Sequence, residues 1–518
     1  MNANPKSFWK HIHLCIMQPI GHFQSLVFLD PALHFKFQFE RMGMQVTIGK
    51  NRLRHDAINF VFAAHLGFPE VLLERYSCIF VNLEQIGAGG ADLPESYLNL
   101  LRTQPTVDYD QANIDAYQTP GSKTSLIHFL YVPYLDKPSN AMPSQQAEAS
   151  KEFDALFLGA INPRRQAVLD TIRQTGVKAH SFEVGIFGAE RDEILRQARC
   201  VINIPFYESA RFEQVRVSHC LSLGVPVVSI RYPHTQVSSA FESCVFWVTP
   251  NEIEAFFSGV FQTETFDRLA QEKLAVFRQT NGRDSFEQLL AFALLADAEN
   301  ELERTTATWT PQLINLSPGT EYKLGWLNID SDPQGLADCE LDFSYPLQLP
   351  QAFSSDYAGQ VQLNPASVEL IHMKGLASHV NDLPKLMTNC LNLLKDDGHL
   401  LIESPCDTSQ RAKYDPKVQR TFNAQSWIYY TERFWTLGWF SHRFELISIQ
   451  YLNEKYIECD QSQSEMIRCL FKKIPTTPQE KTVARTCRVD FFMHADVGPT
   501  LLPSCSTAPE TEQRNLQY

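Results

Sequence analysis

The sequence predicts an α/β protein built from three Rossmann-like domains. The main observation is the stretch 153–230, in which four short apolar runs alternate with helix-like segments, as in a parallel sheet covered by helices. The same alternation precedes residue 135 and returns after residue 313. The chain has 518 residues, which is enough for about three domains at roughly 150 residues each.

The composition narrows the class of protein. Hydrophobic residues at 44% and charged residues at 20% are typical of globular protein, and a net charge of −14 argues against a nucleic-acid surface. Twelve cysteines without a C-x-x-C pair indicate neither a zinc site nor a disulfide framework. No apolar run approaches about 18 residues. We therefore expect a cytoplasmic chain with no transmembrane segment, no metal and no nucleic-acid partner.

Polar segments divide the chain. Residues 136–153 and 301–312 lack apolar periodicity and are typical of linkers, and the Pro/Thr/Ser/Glu-rich end is typical of a partly disordered tail. The resulting domain prediction is 1–135, 154–300 and 313–473, with the tail at 474–518. We also expect three amphipathic helices to pack across the first domain: 252–261, 266–278 and 285–299.

The first strand–helix junction of the second domain has the features of an anion site. Gly159 ends a strand, Asn162 suits the N-cap, and Pro163 suits the first helical position. Arg164 and Arg165 follow, and arginines beside a helix N-terminus suit phosphate oxygens. An ordinary turn with two solvated arginines is the alternative.

The second junction, residues 207–229, contains F-E-x-x-R-x-x-x-x-L-x-x-G-x-P-V-V-S. This pattern resembles the C-terminal domain of GT-B glycosyltransferases, especially CgeB-like and glycosyltransferase family 1/4-like proteins. The resemblance implies a GT-B arrangement of the first two domains and a helix that faces a nucleotide-sugar donor. It implies that Glu213 holds the ribose and Arg216 the diphosphate, together with Gly159, Asn162, Arg164 and Arg165. A first-turn glutamate that complements the helix dipole is the alternative for Glu213.

The pattern departs from the family at one pair of positions. Many retaining members carry two glutamates eight positions apart, and these positions are Arg211 and His219 here. The donor, its nucleotide base and the stereochemistry of transfer therefore stay open.

The first domain contributes candidates for the acceptor side. An N-x-E-Q strand end, a D-Y-x-x-x-N-I segment and a V-P-Y loop resemble the N-terminal half of the same proteins, where they line the cleft between the halves. The resemblance makes His22, Glu84 and Asp108 candidates for a catalytic base, with a structural role as the alternative for each. We interpret the D-x-D at 108–110 as chance, because the GT-B resemblance needs no metal.

The third domain resembles class I S-adenosylmethionine-dependent methyltransferases in the order of its segments. The corresponding cofactor site would contain Ser317 and Gly319 in the glycine loop, Asp330 for the ribose, and Asp342 and Phe343 for the adenine. Pro318 removes an N–H from that loop, and the family's H-x-L-E-H segment is reduced to 375–379. We expect a degenerate domain that keeps the fold without methyl transfer, and a weak S-adenosylmethionine site is the alternative.

The aromatic-rich segment 419–439 has two interpretations. Exposed aromatic side chains would form a platform for sugar rings, whereas near-helical spacing is typical of a packed core face, which we favour.

Our leading interpretation is a bacterial-type glycosyltransferase of polysaccharide biosynthesis. It would move a sugar from a nucleotide-sugar to a glycan, protein or natural-product hydroxyl, without a metal. Two alternatives remain: a methyltransferase that acts on a sugar, and a non-catalytic carbohydrate-binding or assembly scaffold. The sequence leaves self-association into a homo-oligomer open.

Overall fold

The structure is a computed structural model that describes residues 11–19, 21–136, 151–182, 186–303, 308–332 and 335–493. The chain forms two compact units. Unit 1 comprises Met1–Trp309, Thr320–Leu327 and Ala352–Gln362, and unit 2 comprises Thr310–Gly319, Asn328–Gln351 and Leu363–Tyr518.

The first sheet of unit 1 has six parallel strands in the order β2-β1-β3-β4-β5-β6. Its central strands are buried along their whole length, as expected where both faces of a parallel sheet are covered. The strands are β1 (His11–Ile16), β2 (Val46–Lys50), β3 (Ala57–Phe62), β4 (Ser77–Val81), β5 (Thr106–Asp108) and β6 (Thr124–Leu126). The helices are α1 (Leu29–Glu40), α2 (Glu95–Thr103) and α3 (Gln111–Tyr117).

The second sheet of unit 1 has five parallel strands in the order β11-β10-β9-β7-β8. They are β7 (Phe153–Leu158), β8 (Ala179–Phe182), β9 (Ala198–Asn203), β10 (Val227–Ile230) and β11 (Phe246–Val248). The helices are α4 (Pro163–Gln174), α5 (Gly188–Arg196), α6 (Gln214–Ser222), α7 (Ser239–Glu242), α8 (Ile253–Ser258), α9 (Glu264–Arg278) and α10 (Arg283–Glu303). The second of the four apolar runs, residues 182–187, predicts a strand there, but the observed β8 lies earlier and spans Ala179–Phe182. Phe187 is the N-cap of α5, and residues 183–185 lie outside the described ranges.

The last helix of the second domain returns to the first sheet. Phe286, Leu289 and Ala293 of α10 belong to the hydrophobic core of β1–β5, whereas Phe257 of α8 and Phe266 of α9 belong to the core of the second sheet. The prediction that three helices pack across the first domain is therefore confirmed for the last one and wrong for α8. Helix α9 packs mainly on the second sheet, but its Phe277 also contacts Tyr131 of the first domain. Residues late in the second domain thus complete the core of the first sheet.

Helix α6 lies between the two sheets and carries a polar stripe. Gln214, Ser218 and Ser222 are spaced four residues apart and therefore share one face of the helix. Their side chains hydrogen-bond the backbone of residues 129–132 at 3.1, 3.2 and 3.3 Å. This extended segment of the first domain is thereby fixed along the helix of the second.

The third sheet, in unit 2, has seven strands in the order β14-β13-β12-β17-β18-β20-β19, with β20 antiparallel to both neighbours. The strands are β12 (Leu313–Leu316), β13 (Leu327–Asp330), β14 (Cys339–Glu340), β17 (Val368–Lys374), β18 (Leu394–Pro405), β19 (His442–Leu452) and β20 (Met466–Pro475). The helices are α11 (Leu376–His379), α12 (Leu383–Leu393), α13 (Ile428–Thr431) and α14 (Pro478–Met493). With this sheet, the predicted α/β class with several Rossmann-like sheets is confirmed.

A hairpin that follows β14 and precedes β17 in the chain belongs to unit 1. It consists of β15 (Gln351–Ser355) and β16 (Gly359–Leu363). The His55 N–H donates to the Asp356 carbonyl at 2.8 Å, and Arg54 pairs with the Asp356 carboxylate at 3.0 Å. The Arg52 guanidinium lies 3.2 Å from the centre of the Tyr357 ring. The hairpin is therefore fastened to the start of β3.

Most of the aromatic residues of 419–439 are buried. Phe422 and Trp427 stack in parallel with ring centres 4.7 Å apart, and Tyr430, Phe434 and Trp439 are also in the interior. Tyr429 is exposed. This arrangement fits the core interpretation rather than a sugar platform.

Within the ranges described above, none of the helices combines the length and the apolar character needed to cross a membrane.

Candidate functional site

Arg165, Arg216 and Glu213 meet around Gly159, where β7 ends, and Arg164 lies next to Arg165 at the start of α4. We call Arg164, Arg165, Glu213 and Arg216 the arginine cluster. Gly159 has φ +142°, and a Cβ there would lie 3.3 Å from Arg165 Nη1 and 3.5 Å from Arg216 Nη2. A side chain would therefore crowd both guanidinium groups, which explains a glycine at this position.

Asn162 sets the start of α4, as its N-cap position predicts. Its Oδ1 accepts the Arg165 N–H at 2.9 Å, and its Nδ2 donates to the Phe206 carbonyl at 2.9 Å. Both polar ends of Asn162 are therefore occupied by the protein. The residue joins the N-terminus of α4 to the segment that follows β9.

Arg165 is the buried member of the cluster, with 2% of its surface exposed. It donates from Nε to the Ile204 carbonyl and from Nη1 to the Ala160 carbonyl, each at 2.9 Å, and from Nη2 to Glu213 Oε1 at 3.0 Å. Burial lowers its pKa to about 10, so the side chain is cationic at neutral pH. It holds the exits of β7 and β9 together.

Glu213 lies between two arginines. It is the N-cap of α6, but its side chain makes no capping hydrogen bond. Its Oε2 lies 2.5 Å from Arg216 Nη1, outside hydrogen-bond geometry, so these two buried atoms form an ion pair without a hydrogen-bond partner. Such atoms are costly unless something else satisfies them.

Arg164 faces outward from the same edge. It donates to the Tyr207 carbonyl at 2.7 Å and pairs with Glu208 at 2.9 Å, and the Glu208 side chain is 85% exposed. Three arginines against Glu213 and Glu208 leave one net positive charge, which becomes two when the exposed Glu208 turns away.

The candidate residues of the first domain are not equally accessible. Asp108 is fully buried and accepts hydrogen bonds from Asn82 Nδ2 at 2.7 Å, Asn113 Nδ2 at 3.1 Å and the Asp110 N–H at 3.0 Å. Burial raises its pKa to about 7. His22 is exposed in the loop after β1, and its imidazole has no contact among the described residues. The two side chains thus differ in access to any ligand.

The D-x-D at 108–110 has structural partners. The Asp110 carboxylate caps α3 by accepting the Ala112 N–H at 2.8 Å, and it pairs with Arg211 at 3.4 Å. Among the residues that the structure describes, no three His, Cys, Asp or Glu side chains come together in a way that could hold a metal ion.

Glu84 has an ionisable neighbour that the sequence did not indicate. His65 follows β3, and its Nε2 lies 3.7 Å from Glu84 Oε1. The charge of Glu84 contributes, after burial, to a raised pKa of the Tyr207 hydroxyl in the second domain. A single histidine in a short turn has no pattern that distinguishes it in a sequence, although the preceding strand end is a usual place for ligand contacts.

The loop after β4 and the loop after β9 contact each other beside the arginine cluster. The Ser209 N–H donates to the Gly89 carbonyl at 2.8 Å, and Ser209 Oγ donates to Gln85 Oε1 at 2.7 Å. Gly89 has φ +70°, and a Cβ there would lie 2.8 Å from Glu208 Cβ. The loop after β4 therefore contacts the loop that carries Tyr207 and Glu208.

The two residues at the glutamate positions of the retaining enzymes have protein partners. Arg211 Nη2 donates to the Ile86 carbonyl at 2.6 Å, and His219 Nε2 lies 2.8 Å from Asp192 Oδ1. Neither side chain is a carboxylate able to act as a nucleophile.

The five residues predicted for an S-adenosylmethionine site all lie in unit 2. Ser317 and Gly319 have φ of +54° and +52°, and residues 317–326 contain no helix, so no helix N-terminus follows this loop. Asp330 accepts the Asp332 N–H at 3.1 Å, and Asp342 accepts the Ser344 N–H at 2.8 Å. Phe343 is buried.

Comparison with known proteins found no matching family model. Two uncharacterized proteins of Acanthamoeba polyphaga mimivirus are similar to this chain. Protein L140 is 26% identical over 162 residues, 31% of this chain and 51% of the relative. Protein L137 is 25% identical over 163 residues, 31% of this chain and 21% of the relative. The chain thus spans about half the length of the first of these relatives and less of the second.

Solved structures similar to parts of the chain include glycosyltransferases and methyltransferases. HepE of Anabaena, solved with UDP and glucose, is 14% identical with a TM-score of 0.37, covering 55% of this chain and 100% of that one. AviGT4, a glycosyltransferase of avilamycin A biosynthesis, is 15% identical with a TM-score of 0.34 over 56% of this chain and 98% of that one. A methyltransferase of Archaeoglobus fulgidus is 13% identical with a TM-score of 0.22 over 35% and 92%. We draw nothing from these likenesses about substrates.

Proposed function

We propose that unit 1 transfers a sugar from a nucleoside diphosphate sugar to a hydroxyl group of an acceptor such as a glycan. The observation that supports this proposal is the arginine cluster around Gly159 at the carboxyl edge of the second sheet. Parallel sheets bind their ligands at this edge. Glu84 and His65 lie at the same edge of the first sheet and supply ionisable groups for the acceptor side.

The diphosphate would contact the two accessible arginines. Arg164 and Arg216 are 23% and 31% exposed, whereas every polar group of Arg165 is already bonded within the protein. Breaking the ion pair between Arg164 and the exposed Glu208 costs little free energy, because an exposed ion pair contributes only about 0–1 kcal/mol. The buried Arg165 then contributes its positive charge without contacting the diphosphate.

The same groups favour the chemical step. Negative charge grows on the diphosphate as its bond to the sugar breaks, and fixed guanidinium groups stabilise that charge in a partly buried site. Glu213 Oε2 is buried against Arg216 Nη1, so the ribose hydroxyls would bind Glu213 only when Arg216 moves onto the diphosphate. These roles require no metal.

A thermal-shift screen against UDP, GDP, dTDP and CMP tests the proposal. A ligand at 100 times its dissociation constant adds about 2.7 kcal/mol to the free energy of unfolding. We expect one nucleotide to raise the melting temperature, and Arg164→Ala and Arg216→Ala to abolish that response. Arg199→Ala is the matched control, because Arg199 pairs with Asp267 at 2.8 Å near the opposite end of the parallel strand β9.

Other results would support other functions. If no nucleotide changes the melting temperature, the non-catalytic carbohydrate-binding or assembly alternative is preferred. A response to S-adenosylmethionine that Asp330→Ala abolishes would support methyl transfer. We consider methyl transfer less well supported, because residues 317–326 provide no helix N-terminus for the cofactor.

A further inference from the structure

The turn after β3 holds a histidine in a strained backbone. Ala63 has φ +58°, in the left-handed region, and Gly67 has φ +121°. A non-glycine residue in that region is strained and persists where the surroundings impose it, often at functional sites. Between these two residues, the turn directs His65 Nε2 to 3.7 Å from Glu84 Oε1.

The surroundings of His65 favour the neutral imidazole. The ring packs against the edge of Tyr97, with centres 5.6 Å apart, and lies 5.8 Å from the Phe28 ring. Burial lowers the pKa of His65 to about 4 and raises the pKa of Glu84. Glu84 and Tyr97 are the ionisable side chains that face the ring, and Nδ1 has no hydrogen-bond partner among the described residues. The side chain is 15% exposed, and Nδ1 is the ring nitrogen that does not face Glu84.

This histidine lies on the acceptor side of the arginine cluster. Glu84 from the first domain and Glu213 from the second both raise the pKa of the Tyr207 hydroxyl, after burial, so Tyr207 lies near both carboxylates. The Tyr207 carbonyl accepts from Arg164, and Gln85, next to Glu84, accepts from Ser209 Oγ. The pair of His65 and Glu84 therefore lies beside the loop that accepts a hydrogen bond from Arg164.

We propose that His65 is the general base for the acceptor hydroxyl and that Glu84 is its positioning residue. This inference rests on the proposed sugar transfer. The acceptor O–H proton moves to Nδ1 of His65 as the acceptor oxygen bonds to the anomeric carbon. The bond from that carbon to the diphosphate oxygen breaks, and its electron pair leaves with the diphosphate beside Arg164 and Arg216. Glu84 faces Nε2 and stabilises the imidazolium, and a single displacement of this kind inverts the anomeric configuration.

Hydrolysis of a nucleotide-sugar, with water as the acceptor, tests this proposal in the full chain. The probe is the sugar derivative of the nucleotide that gives the largest thermal shift. We expect His65→Gln to lower kcat by about 10²- to 10⁴-fold, the usual contribution of a general base, while KM and the thermal shift stay close to wild type. His65→Phe keeps the aromatic packing and should lose the rate equally. His180→Gln, on β8, is the matched control.

The pH profile and the anomeric configuration of the product distinguish a catalytic role of His65 from a structural one. The wild-type rate should fall below about pH 4, where His65 becomes protonated, and His65→Gln should lack that limb. Glu84→Gln should lower kcat more than it changes KM. A kcat of His65→Gln close to wild type, an active His65→Phe variant or a product of retained configuration would overturn the inference while nucleotide binding persists. If the wild type binds no nucleotide, the proposed function itself fails and this inference fails with it.

Discussion

Arg211 of the second domain donates a hydrogen bond to the carbonyl of Ile86 in the first, with 2.6 Å between Nη2 and the oxygen. The same guanidinium reaches the Ala112 carbonyl at 3.2 Å and the Asp110 carboxylate at 3.4 Å. Arg211 occupies the position of a glutamate in the retaining enzymes that the sequence resembles. In this chain the position fastens the two halves of unit 1 to each other.

Arg211→Ala should therefore loosen the joint between the two sheets. We expect a loss of about 1.5–3 kcal/mol in the free energy of unfolding, the range for hydrogen bonds to a charged group, and faster amide exchange at residues 85–90. Arg283→Ala is the control, because Arg283 has a half-exposed ion pair with Glu287 on its own helix and should cost less than about 1 kcal/mol. Equal losses in the two variants would contradict the assignment.

Arg164 and Arg165 should respond differently to the same truncation. Arg165→Ala removes three bonds and one partner of a buried ion pair, so we expect a loss of about 3–5 kcal/mol in urea unfolding. Arg164→Ala removes an ion pair with the exposed Glu208 and one hydrogen bond to the Tyr207 carbonyl, so it should cost less, about 1–2 kcal/mol, while it abolishes the nucleotide response. A nucleotide response that survives in Arg164→Ala would count against the donor site.

The buried Asp108 should make the protein less stable as the pH rises. Its pKa is about 7 in the folded chain, against an ordinary value of 3.8 for an aspartate, so the folded state binds the proton more tightly. This contribution to stability is complete below about pH 4 and is lost as the pH rises through about 7, with a slope of up to about 1.4 kcal/mol per pH unit for one proton. Urea unfolding of Asp108→Asn between pH 4 and 7 should lack that slope. Asp92→Asn, at an exposed carboxylate, should keep it.

The hairpin of residues 352–362 should contribute to the stability of unit 1. Tyr357→Ala removes the ring under the Arg52 guanidinium, and we expect a loss of about 0.5–2 kcal/mol, the range for such contacts. Amide exchange at residues 52–56 should become faster, because the hairpin covers the start of β3. Tyr345→Ala, at an exposed tyrosine, is the control, and unchanged exchange in Tyr357→Ala would show that the hairpin is dispensable.

The amino-acid sequence predicted strands and helix starts correctly where burial and capping depend on residues that are neighbours in the chain. The apolar runs predict the central strands because both of their faces are covered, and Asn162 with Pro163 predicts the start of α4 at the observed residue. The apolar run at 182–187 did not predict the position of β8, because pairing with β7, rather than hydrophobicity, places this strand at Ala179–Phe182.

The candidate site could be predicted only in part for the same reason. Arg164, Arg165, Glu213 and Arg216 belong to helix starts that can be seen in the sequence, and the structure joins the last three through ion pairs. His65 could not be identified, because its partner Glu84 lies at the end of the next strand and only the folded sheet brings the two side chains together. The burial of Asp108 likewise depends on Asn82 and Asn113, which come from different elements.

The separation between Arg54 and Asp356, 302 residues along the chain, has a consequence for synthesis. The strands of the first sheet leave the ribosome long before the hairpin that fastens to β3. At about 5–20 residues per second, the interval is roughly 15–60 s. Throughout that time the start of β3 lacks its final cover, so this surface is a natural site for chaperone contact or for misassembly during translation.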